Sequence, residues 1–231
     1  MSKILISGYY GFANAGDEAM LTAIIESLRQ VEKNVELTVL SGNPEDTAAK
    51  HQVCSVYRFN PLGIIRAMKD SELIISGGGS LLQDVTSKRS LLYYLSIIGL
   101  GKFFGKKVML FAQGIGPIRA KWARKLTSLV CNEADLITVR DSESAAELIE
   151  MGVKPEKITV TADSVLSLNP VTKECGQYLL QEAGVDLTKP VIGISVRPWS
   201  GDSQCFQVLA EAASKLQQSY GAPVSYTHLR A

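Results

Sequence analysis

The stretch that decides the fold is KILISGYYGFANAGDEAML, residues 3–21. It opens with an apolar run that ends at Gly8, which is the pattern of a buried β-strand followed by a glycine turn. From Asp17 to Val31 the apolar residues recur at the spacing of one face of an amphipathic helix. A buried strand, a glycine-rich turn and a helix in this order predict the start of an α/β fold.

The same alternation continues along the chain. Further strands are predicted at residues 35–40, 53–57, 73–76, 107–111, 136–139 and 158–161, and further helices at 61–69, 87–104, 120–132 and 142–151. Ser41-Gly42-Asn43-Pro44 is predicted to form a turn. Strands that alternate with helices predict a parallel, Rossmann-type sheet with crossover helices on both faces.

The alternation stops at a polar segment with a short helix, which we interpret as a linker to a second lobe. That lobe opens with a strand at 191–196 and a helix at 203–220. So short a segment cannot close a second doubly wound core, so we expect the second lobe to be incomplete in this chain. The predicted organisation is a first lobe at 1–168, a linker at 169–189, the start of a second lobe at 190–224 and a non-native tail at 225–231.

Composition excludes several classes of function. The net charge is +1 and the basic residues are dispersed, which argues against a nucleic-acid partner. The four cysteines lack C-x-x-C spacing and neither of the two histidines lies near a second ligand type at metal spacing, so no zinc knuckle, redox dithiol or other metal site is expected. The apolar stretch 91–104 is shorter than the roughly 20 residues of a membrane span and predicts a buried helix. An interfacial helix that contacts a lipid-linked substrate is the alternative.

Asp17 and Glu18 are the candidate catalytic carboxylates. They follow the first strand, and ligands of open α/β sheets lie outside the carboxyl ends of the strands. A carboxylate at this place accepts hydrogen bonds from sugar hydroxyls or acts as a base, and Tyr10 and Asn14 are candidates for holding the sugar. The alternative is that the two acidic residues only complement the dipole of the helix.

A run of three glycines, Gly77-Gly78-Gly79, follows another predicted strand. Such a run offers backbone amides to a closely packed ligand, and we assign Gly78, Gln83 and Asp84 to acceptor binding. An ordinary tight turn is the alternative interpretation.

Arg140 and Arg197 are candidates for binding an anionic donor, together with Gln113. Each follows a predicted strand, and Arg140 also lies beside the start of a helix. A guanidinium group binds phosphate or carboxylate through two directed hydrogen bonds, and helix amides add further donors. The alternative for Arg140 is a surface ion pair with Asp141, which contributes little.

Six runs together resemble the polysaccharide pyruvyl transferase family, in particular the members that pyruvylate bacterial cell-wall polymers. The similarity spans residues 3–224. The carrying runs are GYYGFANAGDEAML from Gly8, SGGGSLLQD from Ser76, QGIGP from Gln113, VRDSES from Val139, ADSVL from Ala162 and GISVRPW from Gly193.

The resemblance implies a two-lobed fold similar to the GT-B glycosyltransferases. The implied reaction transfers pyruvate from phosphoenolpyruvate to a sugar as a ketal, without a metal, and phosphate leaves. The implied acceptor is a glycan or a lipid-linked amino sugar at the cytoplasmic face, which predicts a cytoplasmic protein with a peripheral membrane contact. Members of the family continue beyond residue 231 with further basic residues, so we expect this chain alone to lack part of the donor site.

Other classes of function remain open at this stage. A nucleotide-sugar glycosyltransferase would share the fold and is the main alternative. A Rossmann oxidoreductase is disfavoured, because the glycine turn lacks a clean G-x-G-x-x-G pattern and the acidic pair would repel a pyrophosphate. A non-catalytic sugar-binding module is the third possibility. The sequence does not predict the oligomeric state.

Overall fold

The computed structural model describes residues 1–85, 87–196 and 203–228. The chain divides into two compact units, Met1–Leu168 and Asn169–Ala231. Each unit has its own sheet.

The first unit contains seven strands and six α-helices. The strands are β1 (Lys3–Tyr10), β2 (Glu36–Ser41), β3 (Cys54–Tyr57), β4 (Leu73–Gly77), β5 (Lys107–Gln113), β6 (Leu136–Val139) and β7 (Ile158–Val160). The helices are α1 (Ala15–Val31), α2 (Pro44–His51), α3 (Pro61–Asp70), α4 (Lys88–Phe103), α5 (Lys121–Glu133) and α6 (Ser142–Glu150).

All seven strands are parallel and lie in the order β3-β2-β1-β4-β5-β6-β7. The predicted Rossmann-like α/β fold is therefore confirmed. The chain builds the sheet outward from β1 in one direction through β2 and β3, and then in the other from β4. The carboxyl ends of β1 and β4 meet at this switch point, where open α/β sheets form their ligand crevice.

The core lies on both faces of the sheet, because successive side chains of a strand point to opposite faces. Ile4 and Ile6 of β1 belong to the cluster that contains Ile24 of α1. Leu5 belongs to the other cluster, which contains Leu91 and Ile98 of α4. Each of these residues is less than a tenth exposed.

Three features of the first unit differ from the prediction. β1 continues to Tyr10 and β5 to Gln113, so both reach further into the candidate site than expected. Helix α2 follows the predicted turn and was not expected, because Thr47 is its only buried residue and an apolar face is missing. The side chain of Asn43 caps this helix and Pro44 occupies its first turn.

The second unit contains α7 (Lys173–Glu182), β8 (Ile192–Val196), α8 (Ser203–Tyr220) and β9 (Val224–His228). Strands β8 and β9 pair in parallel. Residues 225–228 belong to β9 and lie within the segment 225–231 that the sequence analysis predicts to be a non-native tail. The buried hydrophobic residues in the described part of this unit are Ala213 and Ala222.

None of the described helices combines the length and the apolarity that crossing a membrane requires. The described residues also include no group of three or more His, Cys, Asp or Glu side chains placed to hold a metal ion. The four cysteines are free thiols, and Cys131 of α5 is the buried one.

Candidate functional site

The candidate site lies at the switch point, where the loop after β1 meets the glycine turn after β4. Gly78 and Gly79 have φ angles of +76° and +69°, which an L side chain rarely adopts. A Cβ atom on Gly79 would lie 3.1 Å from Oδ1 of Asp17. The half-buried Asp17 carboxylate therefore lies directly against this turn, and the two predicted segments meet.

Glu18 faces the opposite way and fixes the loop after β1. Its Oε1 accepts a hydrogen bond of 2.8 Å from the backbone amide of Gly11, and its Oε2 lies 3.4 Å from Nε2 of His51. The hydrogen bond with His51, followed by that from Gly11, lowers the pKa of Glu18. These contacts give Glu18 a positioning role, and the sequence analysis did not identify His51 as its partner.

Asn14 caps helix α1. Its side-chain oxygen accepts hydrogen bonds from the amides of Gly16 at 3.0 Å and Asp17 at 3.4 Å. The cap holds the start of the helix, and with it Asp17, at the edge of the sheet. The sugar-binding role predicted for Asn14 would have to share this oxygen with the helix.

Tyr10 belongs to the core, and the prediction that it contacts the sugar does not fit its burial. Its side chain is 1% exposed, and its hydroxyl donates a 2.6 Å hydrogen bond to the carbonyl of Gly77. Burial, followed by the charge of Asp17, raises its pKa well above the ordinary value, so the hydroxyl keeps its proton. Tyr10 thus links the ends of β1 and β4 through a buried hydrogen bond.

The amides of the glycine turn also face protein atoms. The amide of Gly78 donates to the carbonyl of Phe111 at 3.4 Å, and that of Gly79 to the sulfur of Met20 at 3.0 Å. A Cβ on Gly78 would lie 3.1 Å from the hydroxyl of Tyr10. Gly78 is therefore required for close packing, and the structure does not present it as a surface for the acceptor.

Asp84 holds the segment that leads into α5. Its carboxylate accepts hydrogen bonds from the amide of Arg119 at 2.9 and 3.0 Å and from that of Ala120 at 2.9 Å. These two amides lower the pKa of Asp84. These contacts give Asp84 a structural task, and its role in acceptor binding stays a prediction. Gln83 packs against the next strand end, since a Cβ on Gly116 would lie 2.6 Å from its Cβ.

Gln113 is fully buried, whereas the sequence analysis predicts that it contacts the donor. Its Nε2 donates to the carbonyl of Ser76 at 3.0 Å and to the hydroxyl of Ser76 at 2.8 Å. Its backbone carbonyl accepts a hydrogen bond of 3.1 Å from the amide of Arg140. Gln113 therefore aligns the ends of β4 and β5 and positions the backbone of Arg140.

Arg140 lies where the ends of β4 to β7 converge. Its guanidinium contacts Asp163 at 3.2 Å, Asp141 at 3.4 Å and the hydroxyl of Ser80 at 3.2 Å. Two carboxylates thus already share its charge, and an anionic donor would have to displace one of them. Arg197, the second predicted donor residue, lies outside the described residues.

Sequence reasoning missed Arg58, which follows β3 at the same edge of the sheet. Its side chain is 4% exposed and is surrounded by aromatic rings, of which Tyr93 is the closest at 4.3 Å. Charged residues are almost never fully buried without a partner, so an exposed side chain is the default expectation for Arg58. The one available signal was the number of aromatic residues after β1, around β3 and in α4.

Asp17 is half-buried at the edge of the sheet, against the buried glycine turn after β4. The buried Tyr10 and Tyr94 lie within reach of its charge, and burial raises the pKa of Tyr94 to about 12. A half-buried carboxylate in this place can accept a proton from a hydroxyl group.

Comparison with solved structures shows a shared fold. HepE from Anabaena, in complex with UDP and glucose, is 14% identical with a TM-score of 0.57, and the match covers 100% of this chain and 70% of that chain. A UDP-GlcNAc 2-epimerase from Methanocaldococcus jannaschii is 10% identical with a TM-score of 0.62, over 98% of this chain and 65% of that one. A glycosyltransferase from Rickettsia africae is 11% identical with a TM-score of 0.57, over 100% and 69%. This likeness confirms the predicted GT-B-like fold class.

Comparison with protein families is more specific. No match was found among curated proteins. The model of the polysaccharide pyruvyl transferases matches residues 14–215, which include Asp17, the glycine turn after β4 and Arg140. The match confirms the resemblance drawn from the six sequence runs, and this chain belongs to the polysaccharide pyruvyl transferase family.

Proposed function

We propose that this protein transfers pyruvate from phosphoenolpyruvate to a sugar and leaves it there as a ketal. The family supports a transferase of this kind. The observation that carries the proposal is the position of Asp17 against the glycine turn of Gly79, at the switch point of the sheet.

In the proposed reaction, a proton is added to the methylene carbon of phosphoenolpyruvate and a sugar hydroxyl attacks the adjacent carbon. Phosphate leaves, and a second hydroxyl of the same sugar closes the ketal. Asp17 accepts the proton of the attacking hydroxyl, because it is the carboxylate at the sheet edge. Glu18 acts through its bonds to Gly11 and His51, which hold the loop that carries Asp17.

Phosphoenolpyruvate carries a phosphate and a carboxylate, so its site requires fixed positive charge. We assign this role to Arg140 and Arg197, with Gln113 positioning the backbone of Arg140. The longer of the two ion-pair contacts of Arg140, that with Asp141, is the one that a donor phosphate replaces most easily. The reaction as proposed needs no metal and no cofactor besides its substrates.

The acceptor in this proposal is a glycan or a lipid-linked amino sugar on the cytoplasmic side of the membrane. Asn14 and Gln83 flank Asp17 and the glycine turn, and they are the side chains proposed to contact it. Tyr10 and Gly78 support the same site from within the fold, and Asp84 supports it through the segment before α5.

The decisive experiment measures phosphate release from phosphoenolpyruvate by the full-length protein with an amino-sugar acceptor. Release that depends on the acceptor, with a product heavier by one pyruvate ketal, supports the proposal. If no sugar acceptor causes phosphate release, the proposed pyruvyl transfer is wrong.

Asp17→Asn should lower the transfer rate by a factor on the order of 10² to 10⁴, the usual contribution of a general base. Its melting temperature should remain that of the wild type, because the amide keeps the shape of the side chain. Asp70→Asn, at the exposed end of α3, is the matched control and should keep normal activity. A large loss of thermal stability with normal specific activity would show that Asp17 is structural.

A nucleotide-sugar glycosyltransferase is the second candidate function. The observation in its favour is the fold shared with HepE in complex with UDP and glucose. Differential scanning calorimetry with each ligand separates the two candidate functions, because a ligand that binds only the folded state raises the melting temperature. A shift with UDP and none with phosphoenolpyruvate would favour glycosyl transfer.

A further inference from the structure

Arg58 is a buried cation whose hydrogen-bonding groups are largely unused. Its Nε and Nη1 groups are buried and have no hydrogen-bond partner among the described residues. Nη2 makes one long contact of 3.4 Å to the hydroxyl of Tyr94. None of the ion pairs formed by the described residues includes Arg58.

Aromatic rings surround this guanidinium on several sides. Its Cζ lies 4.3 Å from the ring centre of Tyr93, 5.2 Å from that of Phe59 and 5.3 Å from that of Phe12. Tyr94 and Tyr9 lie at 5.4 and 5.9 Å. Cation–π contacts stabilise the charge, but they do not satisfy the N–H donors in the plane of the guanidinium.

The neighbouring tyrosines do not supply a negative charge. Burial raises the pKa of Tyr93 and raises that of Tyr94 to about 12, so both hydroxyls keep their protons at neutral pH. A buried charge without hydrogen-bond acceptors is unfavourable, and natural folds rarely retain one unless a partner binds there. The missing partner is therefore an acceptor-rich anion.

The outer wall of this aromatic cage belongs to the loop between β1 and α1. The rings of Tyr9 and Phe12 stack at 4.3 Å and are 37% and 41% exposed, so they separate Arg58 from solvent. Gly11 and Ala13 in the same loop have φ angles of +77° and +56°. Neither ring belongs to the two hydrophobic core clusters of the first unit.

We propose that Arg58 binds a phosphate group, which enters when the stacked rings of Tyr9 and Phe12 move aside. A phosphate binds one edge of a guanidinium through two parallel hydrogen bonds, and at neutral pH it carries more negative charge than a carboxylate does. Arg58 also lines a cavity of about 250 Å³, whose other walls include Ile64 and Ile65 of α3 and Ile97 and Leu100 of α4. The phosphate is either a free ion or the ester of an apolar chain that occupies this cavity. The site stands independently of the proposed pyruvyl transfer, and its test needs no turnover.

Calorimetric titrations at constant ionic strength test the site with two probes, inorganic phosphate and hexyl phosphate. Binding of hexyl phosphate at least tenfold more tightly identifies the apolar ester as the ligand class, and equal binding identifies the free ion. Acetate should bind at least tenfold more weakly than either. Acetate binding as tight as phosphate binding would overturn the assignment, as would the absence of binding by both phosphates.

Three variants test whether phosphate binds at Arg58. Arg58→Met removes the charge but keeps an apolar side chain of similar length, and phosphate affinity should fall more than tenfold. Arg66→Met changes an exposed arginine of α3 and should leave phosphate affinity unchanged. Phe12→Ala uncovers Arg58 and should bind phosphate at least as tightly as the wild type. Unchanged affinity in Arg58→Met, or lost affinity in Phe12→Ala, contradicts the proposal.

A second measurement does not depend on the folding of any variant. The Nε–Hε resonance of Arg58 can be followed by NMR in the wild-type protein during the phosphate titration. It should shift with the same midpoint as the calorimetric curve. A resonance that stays in place at saturating phosphate would show that the ion binds elsewhere.

Discussion

Asp17 and Glu18 are neighbours in the chain, but their surroundings give them different tasks. Asp17 lies against the glycine turn at the sheet edge, whereas Glu18 points to Gly11 and His51. The sequence predicts two acidic residues at a helix start and cannot separate them. Their division of labour depends on His51, which lies 33 residues further along the chain and is placed by α2.

Glu18→Gln should lower the free energy of unfolding by about 1–2 kcal/mol at neutral pH, because a hydrogen-bonded and partly buried charge is lost. The folded pKa of Glu18 is lowered. Its contribution is therefore complete above the ordinary carboxyl range near pH ~4.3 and disappears as the pH falls through the folded value. Urea unfolding of both proteins at neutral and at acidic pH should show the difference shrinking in acid. An equal difference at both pH values would assign the effect to shape instead of charge.

Asp84→Ala should destabilise the protein by about 1 kcal/mol, the usual net effect of losing a hydrogen bond. The amides of Arg119 and Ala120 lose their acceptor in this variant. Asp84→Asn retains one acceptor oxygen and should lose less. Thermal unfolding measures the effect, and acceptor affinity should be unchanged in both variants. A weaker acceptor affinity with normal stability would restore the role that the sequence predicted for Asp84.

Tyr10, Gln113 and Arg58 were misjudged because their burial was not apparent from the sequence. Strands β1 and β5 extend beyond their predicted ends, and Tyr10 and Gln113 are their last residues. This extension places both side chains in the interior of the first unit. Arg58 is buried because aromatic residues from three separate segments close around it. Such burial arises from long-range contacts, and local sequence patterns do not contain that information.

At the scale of elements, the turn between β4 and α4 is the most constrained part of the first unit. Gly79→Ala places a Cβ 3.1 Å from Asp17 and forces an L residue to adopt a positive φ. We expect a loss of about 1–2 kcal/mol in stability and a displaced Asp17 with lower transfer activity. Gly99→Ala is the matched control in α4, where a Cβ meets nothing within 4 Å. It should raise stability by about 0.5–1 kcal/mol and leave activity unchanged, as measured by unfolding and phosphate release.

The sequence predicts most elements because their apolar residues follow a clear period. Strand β6 and helix α8 have the predicted bounds. Helix α2 was missed since it packs without an apolar face. Asn43 and Pro44, followed by two acidic residues, form a helix-start signal that could have revealed it. Side-chain period is therefore sufficient for buried elements, and capping signals are needed for surface helices.

At the scale of the whole molecule, the two units differ in the size of their cores. The first unit packs apolar side chains on both faces of its sheet. Helix α7, at the start of the second unit, has no buried residue. Because hydrophobic burial is the main stabilising term, the first unit should resist unfolding under conditions that open the second.

Limited proteolysis should therefore cut first within residues 169–189 and leave a stable fragment of about residues 1–168. Mass spectrometry of the early products identifies the cut, and circular dichroism of the purified fragment shows whether its fold persists. Resistance of residues 169–189 to protease, or cleavage first within α4 or α5, would contradict this view of the two units.

The burial of Cys131 makes its thiol a natural probe of local opening in the first unit. Burial raises the pKa of its thiol to about 12, so almost none of it is thiolate at neutral pH, and the helix shields its sulfur from reagents. The other three cysteines lie at the surface and react at once with an alkylating agent. Slow alkylation of Cys131, seen as one further increase in mass, then counts the molecules in which helix α5 has opened from the sheet. The native chain thus reports the frequency of its own openings without any introduced label.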